Sequence, residues 1–135
     1  MIQGVYVNFP VADVKRSRAF FEGLGFSINE QFSGDTAIAV TLGPSSAAML
    51  LDKAYFQTFT PRPAAFGHDA TETLVAIQLE SKAAVDALLE KALAAGASEP
   101  RPAQDLGFMY SRAIADLDGH IWEPFWMTNE APPQE

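Results

Sequence analysis

The sequence predicts an α+β fold in which two βαβββ modules form a cup-shaped, curved mixed sheet, each module backed by its helix. Three observations predict it. Val5, Val7, Phe9 and Val11 alternate with Tyr6, Asn8 and Pro10, and Val75, Ile77 and Leu79 alternate in the same way with Val7, Phe9 and Val11 standing 68 residues earlier. Alternation with period two is the pattern of a strand with one apolar face. Each of these strands runs into a capping residue and an apolar helical stripe. Asp13 precedes Val14, Ala19, Phe20, Phe21 and Leu24, and Ser81 precedes Val85, Leu88, Leu89, Ala92 and Leu93. Each stripe then meets a glycine, Gly25 or Gly96, suited to a helix stop, and further short apolar runs follow. A plan repeated at this period marks a duplicated supersecondary unit.

The elements follow in order. A strand is expected over Gly4–Val11 and a helix over Val14–Leu24. Three short runs come next, Phe26–Phe32, Thr36–Leu42 and Ala47–Leu51, separated by the turn-forming Ser33-Gly34-Asp35 and Gly43-Pro44-Ser45-Ser46. Tyr55–Glu72 has no period and carries Pro61, Pro63 and Gly67, with Tyr55, Phe56, Phe59 and Phe66 exposed to choice between a lid and a dimer contact. The second plan has a strand over Thr73–Leu79, with Leu74, Ala76 and Gln78 on its other face, and a helix over Lys82–Ala95. Pro100 and Pro102 keep that helix from continuing. A short strand is placed near Ala97–Glu99, and longer ones over Phe108–Ile114 and His120–Met127. One domain thus covers residues 1–135: module one 1–54, connecting loop 55–72, module two 73–128 and a polar tail 129–135 with two prolines.

The bulk numbers exclude several function classes. A chain of 135 residues with 48% apolar residues supports an ordinary core rather than disorder. It has no cysteine, which removes disulfides, thiolate catalysis and cysteine-ligated zinc. A net charge of −8 opposes nucleic-acid binding and favours solubility. No run reads as a membrane span or a signal peptide, so a cytoplasmic protein is expected. The sequence has no Gly-x-Ser-x-Gly elbow, phosphate loop or His-Glu-x-x-His pair.

The stretch richest in chemistry is Asp116-Leu-Asp-Gly-His-Ile-Trp-Glu-Pro-Phe-Trp126. Asp-x-Asp-Gly suits a tight turn, and an aromatic strand follows. Ile121, Glu123 and Phe125 share one strand face, while Trp122 and Trp126 take the other and pack in the core. A carboxylate in such a strand must find a partner or serve a ligand. Two readings of Glu123 stay open: a pocket carboxylate acting as base or anchor, or a carboxylate paired with Tyr6 or Arg112. Tyr110 and Arg112 share a face, where the arginine could bind an anionic ligand. His120 reads as a turn residue, and His68, in the irregular loop, is at most a candidate lid acid or base.

Two motifs resemble those of the vicinal oxygen chelate superfamily, which includes glyoxalase I, extradiol dioxygenases, and bleomycin and fosfomycin resistance proteins. Val7-Asn-Phe-Pro-Val-Ala-Asp13 with Ser17-x-x-Phe-Phe21 and Leu24-Gly-Phe26 resembles the opening module. Asp116-Leu-Asp-Gly-His-Ile-Trp-Glu123 resembles the closing Asp-Pro-Asp-Gly-x-x-x-Glu motif, with Leu117 where proline is usual. In metal-using members of that family, the resemblance implies four ligand positions, and these fall on Tyr6, near Leu50, on Leu74 and on Glu123. Only Glu123 carries a usual ligand, and a divalent ion needs three or more nitrogen or oxygen donors.

The resulting expectation is a protein with a small-molecule-binding cup and no metal or other cofactor. Glu123 and Tyr6 are its candidate catalytic groups, with Asn8, Leu50, Leu74, Ala76, Tyr110, Arg112 and Phe125 contacting the ligand. A metal-dependent lyase or dioxygenase with unusual ligands is the alternative. A homodimer is expected because the aromatic loop needs cover. Glu123→Gln is expected to weaken ligand binding and to leave stability unchanged or higher, on the premise that the charge is unpaired.

Overall fold

The computed structural model describes residues 1–128; the tail at 129–135 lies outside them. The chain divides into two compact units, Met1–Ala70 and Thr71–Glu135.

In the first unit, β1 (Val5–Val11) leads into α1 (Val14–Gly23), a 3-10 turn at Glu30–Phe32, β2 (Ala37–Gly43), β3 (Ser46–Asp52) and a short α2 (Lys53–Gln57). The strand order is β1-β3-β2, with β1 parallel and β2 antiparallel to β3. Asp13 starts α1 by accepting from the Arg16 N–H at 3.2 Å. The helix lies on β2 and β3 and buries Val14, Phe20 and Phe21, while Ile38, Val40, Ala48 and Leu50 are fully buried. Truncating Ile38 or Leu50 to alanine should cost about 2–5 kcal/mol at sites this enclosed.

The second unit contains β4 (Leu74–Gln78), α3 (Lys82–Ala94), β5 (Gln104–Asp105), β6 (Met109–Ser111), β7 (Ile114–Ala115) and β8 (Ile121–Met127). β8 is the hub: β4 runs parallel to it, β6 and β7 antiparallel, and β5 extends the sheet beyond β6. Ser81 caps α3 through the Ala84 N–H at 3.0 Å. Val85, Leu89, Ala92 and Trp122 form the core beneath that helix.

Both helices stop in the same way. Gly25 (φ 99°) and Gly96 (φ 103°) hold the left-handed conformation. Gly25 N donates to Glu22 O and Phe26 N to Phe21 O; Gly96 N donates to Leu93 O and Ala97 N to Ala92 O. These paired bonds satisfy the last helical carbonyls. In α1 the stop is reinforced by Phe21 and Phe26, whose rings meet edge to face at 5.5 Å. The N-caps stand 68 residues apart and the stopping glycines 71, because α3 has 13 residues where α1 has 10.

Several expectations need correction. The strands do not form one cup-shaped, curved sheet. Among the described residues they divide into a three-stranded and a five-stranded mixed sheet, neither closed. The run Phe26–Phe32 yields a single bridge at Ile28 and then the 3-10 turn rather than a strand. There Asn29 accepts from Gln31 N, Ser33 Oγ donates to the Asn29 carbonyl at 2.6 Å, and Glu30 pairs with Arg18, so local bonds displace the ladder. Near Ala97–Glu99 only the bridge Ser98–Ala115 forms.

The strand over Phe108–Ile114 splits into β6 and β7. Opposite the gap, Pro124 accepts from Arg112 N at 3.1 Å but has no N–H to return. The stretch after β3 also contains order that its sequence did not show. The side chain of Gln57 donates to the carbonyls of Thr60 and Arg62 and accepts from Ala64 N, tying the chain after α2 into a compact loop.

Candidate functional site

The two parallel strand pairs place the candidate residues. In the first unit Tyr6 lies opposite Ala47 and Asn8 opposite Met49; in the second Leu74 lies opposite Ile121 and Ala76 opposite Glu123. Superposing the repeat at Val7 and Val75 therefore matches Tyr6 with Leu74, Asn8 with Ala76, and Met49 with Glu123. This corrects the placement of Leu50. It matches Pro124, is fully buried and lines neither of the two pockets described below. A slip of one residue on a strand moves a side chain to the opposite face.

Within the second unit, Glu123 lines a pocket of about 260 Å³ with Ala76, Arg101, Gln104, Met109, Ser111 and Phe125. Its carboxylate accepts from Arg101 Nη2 at 2.9 Å. The same nitrogen donates to Ser111 Oγ at 3.2 Å, and Arg101 Nη1 donates to the Pro102 carbonyl at 3.0 Å. Side-chain exposure is 33% for Arg101 and 22% for Glu123, so the pair is largely withdrawn from water while one edge stays open. Arg101, rather than Tyr6 or Arg112, is the partner of Glu123.

Tyr110 and Arg112 turn to the other face, because Ser111 between them takes the Glu123 side. The Tyr110 hydroxyl donates to Asp86 on α3 at 2.6 Å. Arg112 donates to Asp86 at 3.0 Å and grips Glu99 through two nitrogens, each at 2.9 Å. The Tyr110 hydroxyl, with Arg112, holds the Asp86 carboxyl below its ordinary range, and Arg112 does the same for Glu99. Asp86 in turn raises the Tyr110 hydroxyl. The ligand contact expected of Tyr110 and Arg112 is thus replaced by a bracket between helix and sheet. Leu74 shares the Ala76 face by alternation and is 54% exposed, outside the lining of the Glu123 pocket.

Within the first unit, Tyr6 and Asn8 line a larger pocket of about 580 Å³ with Asn29, Phe32, Ala39, Thr41, Met49 and the Gly43–Ala47 turn. Tyr6 and Phe32 are 63% and 62% exposed.

The Asp-x-Asp-Gly turn is structural. Asp116 is buried and accepts from the backbone N–H of Asp118 and His120 and from Trp122 Nε1, each at 3.0 Å. Burial pushes its carboxyl up, opposed by His120 and these donors. His120 lies in this turn, and His68 is exposed in the loop.

Among the described residues, no three or more His, Asp or Glu side chains gather as a metal-binding group. The positions implied by the resemblance now read Tyr6, Met49, Leu74 and Glu123. The first unit's pair holds no carboxylate or imidazole, the second unit's holds one carboxylate already engaged by Arg101, and neither pair supplies the three donors a divalent ion needs.

Sequence reasoning missed Arg101, Ser111, Met49, Phe32, Asn29 and Thr41. Arg101 sits in a segment without period. Its one signal is the flanking Pro100 and Pro102, which stiffen the backbone and hold the arginine on a fixed arm.

The bleomycin resistance protein-like N-terminal family matches residues 3–41. No curated protein matches the chain. Among solved structures, a hypothetical protein from S. aureus is similar at 25% identity, over 93% of this chain and 95% of that one, with a TM-score of 0.79. A glyoxalase-related enzyme from Fulvimarina pelagi is similar at 23% identity, over 93% and 88%, with a TM-score of 0.77. A glyoxalase/bleomycin resistance protein/dioxygenase family enzyme from Burkholderia phytofirmans PsJN follows at 18%, over 91% and 97%, with a TM-score of 0.74. The chain has the fold of the glyoxalase/bleomycin-resistance group. No helix among the described residues is long and apolar enough to cross a membrane.

Proposed function

We propose that this chain is a small-molecule-binding protein of the glyoxalase/bleomycin-resistance type that works without that group's metal. One observation carries the reading: Glu123, the single metal-competent side chain at the inherited positions, is held by Arg101 at 2.9 Å. A carboxylate so engaged has fewer lone pairs open to a metal, and it serves better as one half of an anchor for a polar ligand group. The pocket around the pair, about 260 Å³, suits the polar group of a small organic molecule rather than the whole of it. The test is metal analysis of freshly purified protein, with thermal unfolding before and after chelation. Substoichiometric metal and an unchanged midpoint are expected. Stoichiometric Fe, Mn, Zn or Ni that stabilises the protein would overturn the reading in favour of a metal lyase or dioxygenase.

We also propose a homodimer. Tyr55 and Phe59 stack edge to face at 5.1 Å and are 40% and 67% exposed, an apolar surface that a second copy would cover. Light scattering should give about twice the chain mass; a value near 14.6 kDa that does not change with concentration would refute it.

A further inference from the structure

We infer that the first-unit pocket selects an uncharged planar ring that carries a hydrogen-bonding group. This deepens the small-molecule-binding reading and rests on it. The matched positions of the two units divide the chemistry between them. In the second unit the charge stands on the last strand, as Glu123, and the first strand contributes Leu74 and Ala76. In the first unit Met49 replaces that carboxylate, and the first strand contributes Tyr6 and Asn8.

Among the described residues, no charged side chain lines the first-unit pocket, although the chain holds 17 acidic and 9 basic residues. A charged ligand there would lose water without gaining a counter-ion, which is costly. An uncharged ring meets matched surfaces instead. Tyr6 and Phe32 offer exposed aromatic faces, and Met49 offers a soft, polarisable floor. The Tyr6 hydroxyl, the Thr41 hydroxyl and the Asn8 side-chain oxygen make no hydrogen bond among the described residues, so donors and acceptors face the pocket ready for use. The volume of about 580 Å³ lies within the usual range for small-ligand sites, while the 260 Å³ beside Glu123 falls below it.

The chain's four methionines make a site-resolved test possible, since Met49 lines the first-unit pocket and Met109 the Glu123 pocket. The full chain, labelled with ¹³C-methyl methionine, is titrated with three probes that share one ring system: 1-naphthamide, 1-naphthoate and 1-naphthylmethylammonium. The amide should shift the Met49 methyl saturably, and both charged probes should need at least about tenfold higher concentration. Thr41→Asp changes an exposed pocket residue, and it should improve the ammonium probe relative to the naphthoate by at least about tenfold. Equal or tighter binding of a charged probe at Met49 would overturn the inference. So would silence of Met49 to all three probes, or an unchanged charge preference in Thr41→Asp. A response at Met109 alone would also overturn it, while leaving the broader small-molecule-binding reading in place.

Discussion

Replacing Glu123 with glutamine separates the free carboxylate expected from sequence from the paired one in the structure. Glutamine keeps the shape and one acceptor oxygen but removes the charge. The Arg101–Glu123 contact is 2.9 Å, with 33% and 22% of the side chains exposed. Exposed pairs contribute about 0.2–1 kcal/mol, and removing one partner of a fully buried pair costs about 3–5 kcal/mol. A pair between these limits should lose about 1–2 kcal/mol on Glu123→Gln. Arg101→Ala also gives up the bonds to Ser111 and Pro102 and should lose about 2 kcal/mol or slightly more. The double variant should fall short of the sum by about 1 kcal/mol, the coupling between the two side chains. Urea unfolding at pH 7 measures all four proteins. With a slope of about 2 kcal/mol/M, the Glu123→Gln midpoint should drop by about 0.5–1 M, and the gap should narrow in 1 M salt. A Glu123→Gln protein as stable as the parent, or more so, would refute the pairing and restore the unpaired carboxylate inferred from sequence.

Asp116→Asn should destabilise by about 1–3 kcal/mol, because its amide N–H₂ would face the donor Trp122 Nε1. Burial raises the Asp116 carboxyl above its ordinary 3.8, so its contribution is full below that pH and is lost as pH rises through the folded-state value. The deficit of Asp116→Asn in urea unfolding should therefore shrink from acid toward neutral pH, and a growing deficit would contradict this. Asp86 and Glu99 are shifted the other way, from 3.8 and 4.5 downward, so their stabilisation is present above those values and is lost as pH falls through the lower ones. Arg112→Lys cannot grip Glu99 with two nitrogens. It should cost about 1–2 kcal/mol at pH 7 and less at acid pH, read as the difference between two denaturation series. Gly25→Ala and Gly96→Ala should each cost about 1 kcal/mol for the left-handed backbone. Gly96→Ala should cost more, because its new Cβ would meet Leu117 Cδ2 at 3.3 Å while Gly25 faces open space; equal melting temperatures would show that Leu117 gives way.

What was legible in the sequence was what local chemistry decides. Asp13 and Ser81 as caps, Gly25 and Gly96 as stops, and the alternation of β1 and β4 each depend on a few adjacent residues. Trp122 as core follows from alternation too. Pairing decided the rest. Choosing Leu50 instead of Met49 is a one-residue error in register, and no local signal distinguishes the two. Tyr110 and Arg112 were correctly placed on a common face, but which face meets α3 depends on Asp86 and Glu99, distant in sequence. Arg101 reaches Glu123 across 22 residues, and only the folded second sheet shows that it does so. The single curved sheet was an extrapolation from the repeat, since a repeat implies similar units and carries no information about whether their strands join.

The position of β8 also has a consequence for how the chain is made. β4, β6 and β7 all pair with β8, the last described strand, and β4 pairs with it in parallel. During synthesis β4 leaves the ribosome some fifty residues before the partner it needs. The first unit repeats this on a slightly shorter scale, since β1 precedes its parallel partner β3 by about forty residues. The second sheet is thus assembled late and from its final segment outward, against the loop-closure cost of a long parallel connection. Until then its apolar strand faces stand open to other nascent chains. A chain cut short of β8 would lack the strand on which β4, β6 and β7 pair.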